Sequence, residues 1–96
     1  MHTENKPVNG NLIEEIFSSK GRIKIIKLLA SENELNISEI IRRTGLNHTI
    51  ISKHLAVLTE SNILQEKIYG RIKIYRFRIE DRKVKAIKSL IEIWEG

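Results

Sequence analysis

His48, Thr49, Ser52, Lys53 and His54 fall within one short run, HTIISKH, that contains no acid, glycine or proline. At helical spacing Ile51, Leu55 and Leu58 recur at +4 and +3 and form a buried stripe. His48, Thr49, Ser52, Lys53 and Ala56 are left on another face. Hydroxyls that donate or accept, together with a cation and no bulky apolar group, suit hydrogen bonding to base edges and phosphates in a DNA major groove. Enzyme chemistry has no comparable footing. The acids are dispersed, there is no phosphate-binding loop, and no nucleophile stands beside a base.

Such a helix needs a partner to aim it. The stretch SEIIRRTGLNHTIISKHLAVLTESNIL, from Ser38 to Leu64, predicts one. A first helix over about Glu39 to Thr44 follows Ser38, a good N-cap residue, and begins with an acid. Gly45 ends it as a left-handed C′ residue would. Asn47 then caps a second helix, about 48–60, with Leu46 and Ile51 at the staple positions that fix the entry angle. The result is a helix-turn-helix whose second helix reads DNA. Asn47, His48, Thr49, Ser52, Lys53 and His54 are the candidate contacts, and the backbone amides at the helix starts after Ser38 and Asn47 are candidate phosphate ligands.

After Asn62 the period shortens to two. Leu64 and Ile68 alternate with a break at Glu66, and Tyr75 and Phe77 alternate with Ile74, Arg76 and Arg78. Tyr69-Gly70-Arg71 supplies the turn. This predicts a β-hairpin wing over about 64–79, with Tyr75 and Phe77 on the core. Lys67, Arg71 and Lys73 have no evident core role and are candidates for phosphates or a narrow minor groove.

Charge supports the same reading. The chain of 96 residues carries 17 Lys+Arg against 12 Asp+Glu, a net charge of +5. Ile40 to Thr59 holds Arg42, Arg43 and Lys53 and no acid; Lys67 to Arg78 holds five cations and no acid. A solvated basic face is the plainer explanation, but two basic blocks flanking a helix-turn-helix favour nucleic acid.

The remaining segments frame this unit. Residues 1–10 show no periodicity and are expected to form a flexible tail. Asn11 and Glu14 resemble a capping box opening a short helix with Leu12, Ile13, Ile16 and Phe17. Ser19 caps a helix over about Lys20 to Ser31, apolar around much of its girth and therefore deeply buried; Ser31 to Asn36 is a polar loop. A last helix, Asp81 to Trp94, places Val84, Ile87, Ile91 and Trp94 at seam spacing, with Leu90 alongside. It either folds back on its own domain or dimerises. Its surplus apolar surface favours a homodimer in which Leu12, Ile13 and Ile16 complete the interface. Residues 11–79 and 80–96 thus make one domain, mainly α with a β-hairpin wing (α+β).

With 41% hydrophobic and 30% charged residues the composition is that of a globular protein. No apolar run approaches the ~18 residues of a membrane span, and the polar N-terminus is unlike a signal peptide. The chain has no cysteine, which excludes disulfides and thiolate metal ligands. A cytoplasmic, nucleoid-associated protein is expected.

The pieces SSKGRIKIIKLL, ISEIIRRTGLNHTIISKHLAVLTESNIL and GRIKIYRF, in this order, resemble the ArsR-type winged-helix transcription regulators. The resemblance covers about Ile16 to Phe77 and, more loosely, extends to Trp94. It implies a homodimer joined through the terminal helices, binding a palindromic operator and usually repressing. It also implies that His54 matches a histidine that contacts the DNA backbone. Many such relatives sense metals through E-L-C-x-C-D-L at the start of the first helix of the motif. Here the segment is ELNISEI, with Asn36 and Ser38 where the thiolates would be, and neither is a soft-metal ligand. No histidine follows His54, so no metal and no cofactor is expected. The expected function is a sequence-specific double-stranded DNA-binding regulator, a dimeric repressor. The alternative is an architectural protein that coats DNA without choosing sequences, since the central reading face offers no Arg, Asn or Gln. A winged helix used only for protein contacts would have shown an acidic or apolar free face.

Overall fold

The computed structural model of the protein describes residues 12–96. The elements run α1 (Ile13–Ile16), α2 (Lys20–Glu32), β1 (Glu34–Asn36), α3 (Ile37–Thr44), α4 (His48–Glu60), β2 (Leu64–Tyr69), β3 (Ile72–Phe77) and α5 (Arg82–Glu95). The tail over 1–10 and the Asn11 half of the expected capping box lie outside the described residues. Leu12 occupies the cap position of α1, with no side-chain cap bond.

Alternation and turn chemistry build the sheet. β2 and β3 pair antiparallel from Leu64↔Phe77 to Tyr69↔Ile72. The loop is therefore two residues, and Gly70 at its first position takes φ 61, as primed hairpin turns require. Tyr75 and Phe77 are buried as expected. The break at Glu66 has a cause: Glu66 lies directly across from Tyr75 and accepts its hydroxyl at 2.6 Å. Burial first, and then this bond, push the Tyr75 phenol well above its ordinary pKa.

The sheet has a third strand where a loop was expected. α2 extends to Glu32, Asn33 turns at φ 73, and β1 pairs antiparallel with β3 through Leu35↔Tyr75. The sheet order is β1-β3-β2. Three residues are too short to display a period of two, so this strand left no pattern. Its cause is long-range: Leu35 has a place to bury beside Tyr75, and β3 has an open edge to pair with.

The core joins Ile25, Ile26 and Leu29 of α2, Ile40 of α3, Ile51, Leu55 and Leu58 of α4, and Leu64, Tyr75 and Phe77 of the sheet. α5, capped by the Asp81 carboxylate accepting from Lys83 N at 2.8 Å, adds Val84. Two residues expected at a dimer interface are thus corrected. Val84 and Ile16, at 1% and 5% exposed, are spent inside their own chain. Ile87 and Ile91 are half-covered against the same core. Seam spacing shows which residues share a face of the helix, not how much of that face the chain itself covers.

Candidate nucleic-acid interface

α3, the turn and α4 are locked by side chains at both helix starts. Asn36, not Ser38, caps α3: its carbonyl accepts from Glu39 N at 2.9 Å, and Glu39 Oε1 accepts in return from Asn36 N at 3.2 Å. Ser38 is the second residue of α3, within its first turn, and is exposed. A capping box uses both helix-start donors, and Asn36-x-x-Glu39 outcompetes a lone Ser38. The first of the two thiolate-replacing positions is thereby occupied in holding the motif together. Gly45 takes φ 75 and closes α3 on Ile41 O at 2.9 Å. Thr44 Oγ1 donates to Ile40 O at 2.7 Å and accepts from Leu46 N at 3.3 Å, fastening the turn. Asn47 Oδ1 accepts from Ile50 N at 2.9 Å and starts α4.

α4 divides as its spacing predicts. Ile51, Leu55 and Leu58 are buried, while Asn47, His48, Thr49, Lys53 and Ala56 are exposed and Ser52 is half-exposed. Ser52 Oγ lies 3.5 Å from His48 Nδ1, a loose link within the free face. Ile50, 41% exposed, borders that face. Among the described residues, Thr49, Lys53 and Arg42 have no ion-pair or hydrogen-bonding side-chain partner, and Arg43 is taken by Glu32 at 2.8 Å.

His54 faces inward. Its Nδ1 accepts from Arg22 Nε at 3.2 Å, on α2. Burial, and secondarily the Arg22 charge, lower its pKa from 6.5, so the ring is neutral at pH 7. It supports α4 from behind and stands off the free face that Thr49 and Lys53 occupy. Sequence reading passed over Arg22, yet a signal existed: it continues the buried spacing of Ile25, Ile26 and Leu29, an arginine in an apolar stripe.

In the wing, Arg71 and Lys73 are exposed and, among the described residues, unpartnered. Lys67 is instead paired with Glu34 of β1 at 3.2 Å, a partner supplied by the strand that left no pattern. Arg76 grips Glu80 with bonds of 3.0 and 2.9 Å, which hold that carboxyl down at about 2. Arg78 donates to Asn62 O at 2.9 Å. The five-cation block therefore contributes Arg71 and Lys73 as free charges; the other three brace the wing.

On another side of the molecule Ile13, Leu90, Ile93 and Trp94 are exposed at 73%, 54%, 81% and 81%. Ile13 and Leu90 border an apolar cavity of about 320 Å³ between α1, α5 and the α4–β2 connection, lined by Ile16, Phe17, Ile63 and Ile87 among others. Leu12 is also exposed there at the start of α1. Among the described residues, no helix is long and apolar enough to cross a membrane.

A capped helix-turn-helix, a polar and cation-bearing second helix and a two-stranded wing define a winged helix-turn-helix DNA-binding protein. The sequence profile described as "Bacterial regulatory protein, arsR family" matches residues 19–66, half of the chain, and the chain belongs to that family. It is a DNA-binding transcription regulator, and its family is one of regulators rather than enzymes. Solved structures agree in fold. HlyU from Vibrio cholerae superposes with a TM-score of 0.76 at 22% identity, over 97% of this chain and 98% of that one. The transcriptional repressor BigR from Xylella fastidiosa gives 0.71 at 24% identity, over 90% and 85%. No curated protein sequence matches the chain.

Proposed function

We propose that the protein is a dimeric, sequence-specific repressor that binds a palindromic operator. α4 lies in the major groove, with His48, Thr49, Ser52 and Lys53 toward base edges and Asn47 at its phosphate-facing start. The wing sets Arg71 and Lys73 on the backbone or in the minor groove. The observation that carries the reading is the free face of α4: open to solvent, without an ion pair, without acid from Ile40 to Thr59, and opposite a fully buried stripe. The exposed Leu12, Ile13, Leu90, Ile93 and Trp94 face supports dimerisation, which would set two copies of α4 about 34 Å apart, one turn of DNA. Binding needs no metal, since Asn36 serves as a helix cap and Ser38 offers no thiolate.

Fluorescence anisotropy on the protein's own upstream DNA and on a scrambled duplex, across several salt concentrations, tests this. A preference of about 10³ or more for one site is expected. Equal affinities with a steep salt slope would favour an architectural DNA-coating protein instead. That second reading has its own support in the lack of Arg, Asn or Gln at the centre of the α4 free face, because Ser and Thr discriminate bases softly.

A further inference from the structure

The guanidinium of Arg22 sits where α1, the head of α2 and α4 converge, with only 8% of the residue exposed. A buried charge is unfavourable unless it is paired and hydrogen-bonded, and here Nε and Nη1 find partners on three segments. Nε donates to His54 Nδ1 of α4 at 3.2 Å, and Nη1 donates to Ser18 Oγ at 3.1 Å. Nη1 also donates to the carbonyl of Glu15 in α1 and lies 3.5 Å from the Glu15 carboxylate. The surrounding fit is close. A Cβ placed on Gly21 would stand 3.0 Å from His54 Nε2 and 3.3 Å from Leu46 Cδ1, so α2 abuts both α4 and the turn before it.

We infer that Arg22 is the positioning residue of the reading helix: by holding His54 at Nδ1 and the end of α1 at the same time, it sets the angle at which α4 presents Thr49, Ser52 and Lys53. The inference rests on the reading of α4 as the DNA-contacting helix. A planar fork of fixed geometry can orient both elements at once, which neither a lysine nor an apolar residue can do. Because Nδ1 is the acceptor, the neutral ring carries its proton on Nε2. His54 therefore acts on DNA through α4's placement and brings no cation to a phosphate.

The test combines NMR of the His54 ring nitrogens with anisotropy on the preferred duplex. In the wild type the ring is expected as the Nε2–H tautomer, titrating below 6.5. Arg22→Met should relax the ring toward the mixed tautomers of a free imidazole, raising the Nδ1–H share, and weaken the preferred site roughly tenfold, the loss expected for one charge-assisted bond, with the salt slope unchanged. His54→Ala should match it. His54→Asn, which keeps an acceptor near the Nδ1 position, should recover most of the affinity. The Arg22→Met/His54→Ala double variant should be no weaker than the worse single one. Additive losses, an Nδ1–H tautomer in the wild type, or a slope falling by about one unit as for a lost phosphate contact, would each overturn the inference. If Arg22→Met does not fold, the contrast between His54→Asn and His54→Ala decides alone. A wild type that prefers no duplex would overturn the reading of α4 itself, a result visible before any variant is made.

Discussion

Two faces of this small domain are exposed for opposite reasons. The α4 face and wing tip present His48, Thr49, Lys53, Arg71 and Lys73, all well hydrated and stable in water without a partner. The α1–α5 face presents Ile13, Leu90, Ile93 and Trp94, and the last two are 81% exposed. Leaving such side chains in water forgoes about 1.5–3 kcal/mol each, and contiguous patches of this kind mark interaction sites. The polar face identifies a ligand by what it offers. The apolar face identifies a partner by what it lacks. Arg22 lies between them, bonded to Glu15 on one side and His54 on the other.

The largest effect should come from the apolar face. Leu90→Glu is expected to convert a homodimer to monomers in sedimentation analysis and to reduce operator affinity by about 10²–10³, the avidity of two linked half-sites. A wild type that sediments as a monomer would remove dimerisation and the contrast with it.

On the polar face, Ser52→Ala or Lys53→Ala should cost about 1–3 kcal/mol on the preferred site and much less on random DNA. Equal losses on both would mean that α4 does not read bases. Beneath that face, Asn36→Ala should lower stability to urea by about 1 kcal/mol, as for a lost N-cap, while Ser38→Ala should change it by only a few tenths. The reverse order would restore Ser38 as the cap.

Arg71→Ala is expected to weaken all duplexes alike and flatten the salt slope by about one unit. Lys67→Ala should do less, because Glu34 already neutralises it at 3.2 Å. Similar slopes for the two variants would erase the distinction between free and bracing cations in the wing. The smallest effect belongs to the junction. His54 has a lowered pKa, so the unfolded chain binds its proton more readily than the native state does. Its contribution to stability is complete above 6.5 and declines as pH falls from there through the lower native pKa. His54→Asn should remove that segment of the stability–pH profile, and an unchanged profile would show that the ring is not held neutral.

Much of the domain can be read from local pattern. The spacing of Ile51, Leu55 and Leu58, the caps Ser19 and Asn47, Gly45 ending α3 and Gly70 at the hairpin turn are each specified within a few residues. They carry the helix-turn-helix, the wing and the free face of α4. What local pattern missed required a partner distant in sequence. β1 exists because β3 has an edge to pair and Leu35 a place to bury. Glu66 breaks its strand's alternation to meet Tyr75, and Lys67 is neutralised by Glu34, 33 positions away. Val84 and Ile16 turned out to be core because packing decides how much of an apolar stripe the chain covers itself.

Local pattern alone thus specifies the helices, the wing hairpin and the helix face that carries hydrogen-bonding groups and cations, because helix caps, turns and periodicity act over a few residues. Which charges remain free is settled by packing across the whole domain. Pairing depends on distances between segments, and folding alone brings Arg22 to His54 and Lys67 to Glu34 while leaving Lys53, Arg71 and Lys73 unpaired among the described residues.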